Sequence, residues 1–300
     1  MNIEVLHDIE LKDFSYFKIG GKVENLYFPK NTDEFVYLLE TLDNPLVFGG
    51  LSNVLFSSDG IKNDIICTTK FDSYEISDNF VKASAGVRGA VLSRACMENS
   101  LSGFEFMSGF PGTIGGNIYM NASAHKQSIS DTLLKVKIFD TEKKEIIKLS
   151  KENLNFGYRY SVLQNKPYIL IDAEFELNKA DKKNIQDRIK ENREFRKLHQ
   201  PQKIPNVGSI FRNPENNSAG RLLDEVGAKN LSVGGAKVFE NHANFIINTA
   251  NASSSDVLEL MFIMYNKVKY EFGIELRPEV KYFGEMTEKE REICKILFQK

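Results

Sequence analysis

Several short runs of the chain alternate apolar with polar residues, a period that places one face of a β-strand against a core. The clearest run covers residues 169–177, where every second side chain is apolar. Residues 134–139 and 145–149 flank a polar turn and predict a β-hairpin. Residues 81–85 predict a further strand.

Other segments place apolar residues every three or four positions, as on the buried side of an amphipathic helix. The clearest begins at Ser253, with Asp256 three residues on as a capping signal, and ends at Gly273. Thr287 begins a last amphipathic helix that we expect to pack on the body of the protein. Its expected packing residues are Ile293, Ile296 and Leu297.

Together these elements predict an α+β protein. A charged helical run over residues 181–199 stops before Pro201, because proline disfavours helix in the residue before it. We therefore predict a domain boundary there. Residues 1–200 form a first region of two α+β subdomains, and residues 201–300 form a smaller α+β domain whose C-terminal helix packs back on the body.

A glycine-rich stretch over residues 109–121 has little helical or strand periodicity, so we predict a loop whose backbone turns sharply. Such loops bind phosphate because backbone N–H groups converge on its oxygens with no Cβ in the way. Neither G-x-G-x-x-G nor G-x-x-x-x-G-K-[ST] occurs in the chain, so a dinucleotide would bind outside a Rossmann unit. A surface turn without a ligand is the alternative.

A second glycine turn follows the first predicted helix. Asn31 and Glu34 form a capping-box signal for a helix that ends near Leu42. Residues 46–48 then form a short buried strand that leads directly into the small, polar turn at residues 49–53.

The composition and charge of the chain exclude several classes of function. The 39 Lys and Arg residues nearly balance 41 Asp and Glu, which gives no bulk attraction to nucleic acid or anionic membrane. The chain starts with acidic residues rather than a basic signal-peptide segment, and no apolar run reaches the length of a membrane span. We therefore expect a soluble cytoplasmic protein. Its scattered cysteines and histidines argue against a disulfide framework or a metal site.

Six motifs, in order and over nearly the whole chain, resemble those of the UDP-N-acetylenolpyruvoylglucosamine reductases, flavoproteins of bacterial peptidoglycan synthesis. They are F-K-I-G-G at 17–21, F-G-G-L-S-N-V-L at 48–55, the loop at 109–121, F-G-Y-R-Y-S at 156–161, G-S-I-F-R-N-P at 208–214 and L-R-P-E-V at 276–280. The stretch between Tyr160 and Lys197 is too short for the extra substrate-covering loop of one subgroup. The chain therefore resembles the subgroup without that loop.

The resemblance implies an FAD-binding domain of the vanillyl-alcohol-oxidase type followed by a substrate-binding domain. NADPH would reduce non-covalently bound FAD, and hydride would pass to UDP-N-acetylglucosamine enolpyruvate to give UDP-N-acetylmuramate. With this small nucleotide sugar as the substrate, the resemblance implies no nucleic-acid partner, no membrane insertion and no obligate protein partner. The implied FAD-binding residues are Gly49, Gly50, Leu51, Ser52, Asn53, Gly109, Pro111, Gly112, Gly115, Gly116 and Asn121.

The resemblance also assigns catalytic roles to three residues. Arg159 would hold the substrate carboxylate, where negative charge develops. Ser209 would donate a proton to the α-carbon, and Glu279 would position or polarise the enol-like intermediate. The expected further substrate contacts are Tyr158, Lys197 and Asn213.

The sequence departs from the family pattern at two glycine turns. Leu51 stands where the family has the second glycine of G-x-G-S-N. Where members commonly have N-A-G-A-Y-G, this chain has N-A-S-A-H-K over residues 121–126, so we expect the exit of the glycine loop to differ locally.

Two other functions stay open. An FAD-dependent oxidase of the same fold would be favoured by covalent flavin attachment through His or Cys, yet neither residue type lies in the loops at 49–53 and 109–121. A catalytically inactive nucleotide-binding module is the second, and the retained Arg159, Ser209 and Glu279 disfavour it.

Overall fold

The computed structural model describes residues 2–299; Met1 and Lys300, which end two of the predicted ranges, lie outside them. The helices are α1 (Thr32–Thr41), α2 (Gly89–Glu98), α3 (Ile114–Tyr119), α4 (Lys182–His199), α5 (Ala219–Glu225), α6 (Ser254–Phe272) and α7 (Glu288–Phe298). The strands are β1 (Glu4–Glu10), β2 (Lys22–Phe28), β3 (Leu46–Phe48), β4 (Val54–Phe56), β5 (Ile65–Cys67), β6 (Tyr74–Ser77), β7 (Phe80–Ser84), β8 (Leu101–Ser102), β9 (Ser123–Ala124), β10 (Gln127–Ser128), β11 (Leu133–Asp140), β12 (Glu145–Ser150), β13 (Tyr168–Glu176), β14 (Asn178–Lys179), β15 (Asn206–Ser209), β16 (Ser232–Val233), β17 (Ala236–Val238), β18 (Phe245–Asn248) and β19 (Lys281–Phe283).

The chain packs as two compact units. The first is built from residues 1–6, 25–50 and 63–196, and the second from residues 7–24, 51–62 and 197–300. Each unit has strands and helices, as the α+β prediction requires. The predicted division of the sequence at residue 200 stays a prediction.

The first unit contains two sheets. A small parallel sheet pairs β5 with both β2 and β3. A five-stranded antiparallel sheet has the order β12-β11-β13-β7-β6. It contains the predicted hairpin as β11 and β12 and the predicted alternating strand as β13. Its buried face packs on α2 and α3 through an apolar core that includes Leu92, Ile114 and Phe175.

The second unit is built on a four-stranded antiparallel sheet in the order β15-β18-β17-β16. The long helix α6 packs on the same core as this sheet, and α7 packs on α6. Strands β4 and β19 form a separate parallel pair, in register from Val54–Lys281 to Phe56–Phe283. This pair brings the residues that precede β19 beside the turn that precedes β4.

The structure confirms three predicted helix starts, and each has a capping contact. Ser253 and Thr287 each form a capping box with the acid three residues on, and Gly273 ends α6 in the left-handed conformation at φ 68°. Asn31 caps α1 by accepting from the Glu34 N–H at 2.9 Å. The Glu34 carboxylate accepts from the Lys30 N–H rather than from that of Asn31, so the reciprocal half of this box is shifted by one residue.

The docking prediction for α7 is partly wrong. Ile293 and Leu297 are buried in the core of the second unit, but Ile296 is 43 % exposed. Ile296 is three residues after Ile293, and this step turns its side chain just past the buried stripe of a short helix.

The glycine-rich stretch at 109–121 contains a helix where we predicted only loop. Helix α3 begins after Thr113, whose hydroxyl accepts from the Gly116 N–H at 3.5 Å. Its glycines have poor helix propensity, but Ile114 and Ile118 are fully buried. Burial of these two side chains outweighs the local preference, so the loop ends in a helix N-terminus.

Candidate active site

The two glycine turns lie against each other within the first unit. A Cβ added at Gly49 would overlap the Thr113 Oγ1 and lie 3.2 Å from the Thr113 Cβ. A Cβ added at Gly50 would lie 3.9 Å from the Gly112 Cα, an ordinary contact. The turn after β3 and the loop before α3 therefore form one glycine-lined surface.

This surface suits an anionic ligand. The N–H groups of Gly50 and Gly112 donate to no protein acceptor among residues 2–299. A larger side chain at Gly49 would fill the space between the two turns. Bare amides and missing Cβ atoms are what a diphosphate needs for close approach, so these residues fit the FAD pyrophosphate.

Helix α4 adds positive charge beside the loop. The Arg196 guanidinium lies 5.6 Å above the Phe110 ring, and its Cδ lies so near Gly109 that a Cβ there would approach it to 2.7 Å. Arg193 donates from Nε to the Ser108 carbonyl at 3.3 Å. Burial lowers the pKa of Arg196 to about 10, so its charge persists at neutral pH. Pro111, between these contacts and Gly112 in the chain, is exposed.

Gly115 has a packing role. Its N–H donates to the Ala85 carbonyl at 2.8 Å, and a Cβ there would lie 3.2 Å from both the Ala85 Cβ and that carbonyl. Gly115 therefore lets α3 approach the chain after β7. Gly116 is held by the Thr113 cap and has space beside it.

Leu51 keeps the left-handed backbone that favours glycine. Its φ is 54°, and its side chain is only 5 % exposed. A leucine in this region costs roughly 1–2 kcal/mol of backbone strain, and the burial of its side chain offsets that cost. Leu51 therefore adopts the left-handed backbone at this turn without being glycine.

The second unit places Asn53 beside Glu279. The Asn53 side-chain Nδ2 donates to the Glu279 carbonyl at 3.2 Å, and the Lys281 N–H donates to the Asn53 carbonyl at 3.1 Å. These bonds follow from the parallel pairing of β4 and β19. Ser52, half-buried, lies next to Asn53 in the same turn.

Ser209 and Glu279 lie on adjoining extended segments of the second unit. Ser209 ends β15 opposite Phe245 of β18. The next residue, Ile210, accepts at its carbonyl from the Glu279 N–H at 2.7 Å. Buried Asn244 clamps this segment by two hydrogen bonds to the Phe211 backbone, at 2.9 and 2.8 Å. The structure thus places the segments that contain these two predicted catalytic residues side by side.

Arg159 lies in a tight turn of the first unit. Gly157 and Tyr160 exchange backbone hydrogen bonds across the turn, and the Arg159 φ is 55°. The Arg159 Nη1 donates to the Ser123 Oγ at 2.7 Å. Its carbonyl accepts from the Gln164 Nε2 at 3.0 Å. Because Arg159 belongs to the other unit, its convergence with Ser209 and Glu279 stays a prediction.

The exit of the glycine loop holds the Arg159 turn. The Asn121 Nδ2 donates to the Gly157 carbonyl at 2.9 Å, and its Oδ1 is buried with no hydrogen-bond partner among the described residues. Ser161 and Gln164 both donate to the Tyr119 carbonyl at 2.9 Å. The predicted cofactor loop and the predicted catalytic arginine are therefore parts of one connected structure.

The exit of the glycine loop, where the sequence departs from the family pattern, forms a tight hairpin. Residues 123–128 form a hairpin of β9 and β10, and its two turn residues, His125 and Lys126, have φ of 52° and 63°. Two-residue turns with positive φ at both positions normally have Asn or Gly. His125 packs edge-on against Phe195 of α4, which holds this turn in place.

This strained turn makes a prediction about stability. Lys126→Gly should raise the free energy of unfolding by about 0.5–1 kcal/mol, because relief of about 1–2 kcal/mol of left-handed strain exceeds the entropy that glycine adds to the unfolded chain. Urea unfolding measures this difference. Lys166→Gly, at an exposed position without positive φ, should instead lower stability, and an equal drop in both variants would contradict the strain assignment.

The three predicted substrate contacts have different surroundings. Tyr158 is 53 % exposed, with the Arg159 guanidinium 5.2 Å from its ring centroid. Lys197 is exposed on α4. The Asn213 Oδ1 accepts from the Ala219 N–H at 3.0 Å and so supports the start of α5. Asn213 thus has a structural role that the sequence did not suggest.

Sequence reasoning did not assign roles to Thr113, Ser123 or Gln164. Thr113 caps α3 and contacts Gly49, and a threonine just before a buried apolar residue is a capping signal. Ser123 was noted only as a departure from the family pattern. Gln164 contacts Arg159 through a hydrogen bond that no spacing rule predicts.

Residues 2–299 contain neither a membrane-spanning helix nor a cluster of metal ligands. No helix there is long and apolar enough to cross a membrane. No group of three or more His, Cys, Asp or Glu side chains within that range could hold a metal ion.

Comparison of this chain with models of protein families identifies its class. The model of the FAD binding domain matches residues 24–150, the part that contains both glycine turns. This match confirms the predicted FAD-binding α+β fold, and FAD fits the bare amides and close approach described above. A second model, the C-terminal domain of UDP-N-acetylenolpyruvoylglucosamine reductase, matches residues 200–283.

Relatives match along almost the full length. The UDP-N-acetylenolpyruvoylglucosamine reductase of Caldicellulosiruptor saccharolyticus is 38 % identical over 291 residues, 95 % of this chain and 94 % of the relative. That of Clostridium beijerinckii is 36 % identical over 93 % of this chain and 92 % of the relative. The crystal structure of the Thermus caldophilus enzyme superposes with a TM-score of 0.80 at 30 % identity, covering 94 % and 99 % of the two chains. The chain belongs to the UDP-N-acetylenolpyruvoylglucosamine reductase family.

Proposed function

We propose that this protein reduces UDP-N-acetylglucosamine enolpyruvate to UDP-N-acetylmuramate, with FAD as its cofactor and NADPH as the hydride donor. This reaction serves peptidoglycan precursor synthesis. The proposal rests on family membership over nearly the whole chain and on one structural observation. The Ser209 and Glu279 segments are joined by the 2.7 Å hydrogen bond from the Glu279 N–H to the Ile210 carbonyl.

FAD, when bound, accepts electrons from NADPH and supplies hydride. The glycine turns at 49–50 and 109–116 hold its pyrophosphate through backbone N–H groups. Leu51, Ser52 and Asn53 continue the turn at residues 49–50. Asn121, at the exit of the 109–121 loop, connects that loop to the Arg159 turn through Gly157. The roles of these residues are supported by the missing Cβ atoms and by the unused amides of Gly50 and Gly112.

Arg159 binds the substrate carboxylate. Hydride addition to the β-carbon of the enolpyruvyl ether leaves an electron pair on the α-carbon, which is delocalised into that carboxylate. A guanidinium is a planar, permanently charged fork that suits this developing charge. The left-handed turn and the hydrogen bond that Gln164 Nε2 donates to the Arg159 carbonyl hold the Arg159 backbone, and the guanidinium donates to the Ser123 Oγ.

Ser209 completes the reaction by protonating the α-carbon. Its hydroxyl makes no hydrogen bond to another described residue, and Gly208 beside it has φ 81°, which fixes the local turn. A serine is a poor acid in water, so the transfer requires the strongly basic enolate and a site without bulk water. Glu279, on the adjoining segment, positions or polarises this enolate.

The proposal also assigns FAD binding and substrate binding to separate parts of the chain. Residues 1–200 bind FAD, and residues 201–300 bind the substrate, with Tyr158, Lys197 and Asn213 as further substrate contacts. The FAD model at 24–150 and the C-terminal model at 200–283 support this division. The protein acts in the cytoplasm on a small nucleotide sugar and needs no partner chain.

Steady-state assays test the proposed reaction. Purified protein should be yellow with non-covalent FAD, and it should oxidise NADPH only when the enolpyruvyl substrate is present. UDP-N-acetylmuramate should form in equal amount to the NADPH consumed. NADPH consumption that depends on oxygen instead of substrate would favour the oxidase, and protein that cannot take up FAD would exclude both flavin functions.

A further inference from the structure

Ser123 accepts a short hydrogen bond from the Arg159 guanidinium, which also lies 5.2 Å from the Tyr158 ring centroid. The Arg159 Nη1 donates to the Ser123 Oγ at 2.7 Å, and both residues are half-buried. A hydrogen bond from a charged donor in such a place is stronger than one between neutral groups. The two residues are 36 positions apart in sequence, so this contact depends on tertiary structure.

The Arg159 backbone is already fixed by other residues. Its φ of 55° is held by the turn between Gly157 and Tyr160 and by the Gln164 hydrogen bond to its carbonyl. The side chain beyond this backbone is long, and it loses rotamer entropy when it is immobilised. The Ser123 contact places its guanidinium before a ligand arrives.

Ser123 lies on a rigid element. It pairs with Ser128 in the β9–β10 hairpin. Opposite on the hairpin, the Asp131 carboxylate accepts from the Ser128 N–H at 2.7 Å and from the Ser128 hydroxyl at 2.6 Å. His125, in the turn, packs on Phe195 of α4. The hydroxyl therefore occupies a fixed position relative to the glycine loop.

A neutral hydrogen-bond acceptor at position 123 suits the positioning of the Arg159 guanidinium. A carboxylate at position 123 would pair with Arg159 and compete with the substrate carboxylate, whereas a hydroxyl accepts from the guanidinium without adding a negative charge. Position 123 does not have a positive φ, so no backbone strain forces a glycine there. The side chain can thus be selected for its contact with Arg159.

We propose that Ser123 is a positioning residue that acts through Arg159 to bind the carboxylate of the substrate. The inference rests on the proposed function, in which Arg159 binds that group. It predicts that Ser123 matters for ligands with the carboxylate and not for ligands that lack it.

Binding measurements on the FAD-loaded protein test this directly. Ser123→Ala should weaken binding of UDP-N-acetylmuramate, which carries the carboxylate, by about 10-fold, because the variant loses a hydrogen bond to a charged group. Binding of UDP-N-acetylglucosamine, which lacks it, should not change. Ser123→Thr should restore tight binding, and Ser123→Asp should weaken it further. Equal losses for both ligands in Ser123→Ala would overturn the proposal.

A double-mutant cycle separates positioning from general stability. Ser123→Ala should raise the KM for the enolpyruvyl substrate in the wild-type background and have no further effect on kcat/KM in an Arg159→Ala background. Ser128→Ala, opposite on the same hairpin, is the matched control and should lower stability without changing the preference for the carboxylate. Additive losses would overturn the inference. A wild-type protein inactive with the enolpyruvyl substrate would instead defeat the proposed function.

Discussion

Ser209→Ala should leave the reduction of FAD by NADPH intact and slow turnover of the enolpyruvyl substrate on the order of 10²- to 10⁴-fold. The reason is that the hydroxyl is proposed to protonate the α-carbon only after hydride has been added. Stopped-flow absorbance in the absence of oxygen measures the two half-reactions separately. The reductive phase should match wild type, and the substrate-dependent phase should be slow.

A matched serine variant controls for loss of fold. Ser218 caps α5 in the same unit, where its side chain accepts from the Arg221 N–H. Ser218→Ala should cost about 1 kcal/mol of stability and leave both half-reactions unchanged. A Ser209→Ala protein that turns over substrate at the wild-type rate would show that Ser209 is not the proton donor.

Gly49→Ala should weaken FAD binding by about 10- to 100-fold. The added methyl group overlaps the Thr113 Oγ1 and must displace a side chain that caps α3. Overpacking of this kind costs about 1–3 kcal/mol, and 1.4 kcal/mol corresponds to tenfold in affinity. The flavin content of the purified protein and titration of the apoprotein with FAD measure the change.

Gly50→Ala is the neighbouring control. Its new Cβ would meet the Thr113 Cγ2 at 3.8 Å and the Gly112 Cα at 3.9 Å, which the protein accommodates without movement. Its melting temperature should therefore equal that of wild type, so any loss of FAD in this variant reports close approach of the ligand itself. Undiminished FAD binding in Gly49→Ala would contradict the role of this turn.

Elements with strong local signals could be predicted from the sequence. Helix α6 has a capping box at Ser253 and Asp256, a continuous apolar stripe and a terminal Gly273, and the structure has all three. The hairpin of β11 and β12 and the alternating strand β13 follow from period-two patterns. In these elements local preference and burial agree.

Elements stabilised by distant contacts could not be predicted in this way. Helix α3 contains two glycines and forms because Ile114 and Ile118 enter the core of the first unit. Leu51 and Lys126 adopt the left-handed backbone without being glycine. A propensity scale penalises all of these positions, and tertiary packing reverses the outcome.

The residues of the candidate site also fall into two groups, those that sequence motifs identify and those that they do not. The glycine turns and the types of Arg159, Ser209 and Glu279 can be identified from motifs. The partners that orient them cannot, because Ser123 and Gln164 reach Arg159 through side-chain hydrogen bonds set by folding. Asn213 shows the converse, since a residue proposed for substrate binding also supports the start of α5.

The central claim is that reduced flavin in this protein delivers its hydride to the enolpyruvyl ether. Anaerobic stopped-flow measurement on protein reduced with one equivalent of NADPH tests it most directly. UDP-N-acetylglucosamine enolpyruvate should restore the oxidised flavin spectrum within a time consistent with turnover, and UDP-N-acetylglucosamine should not. Flavin that stays reduced with the enolpyruvyl substrate and is reoxidised rapidly by oxygen would contradict the claim.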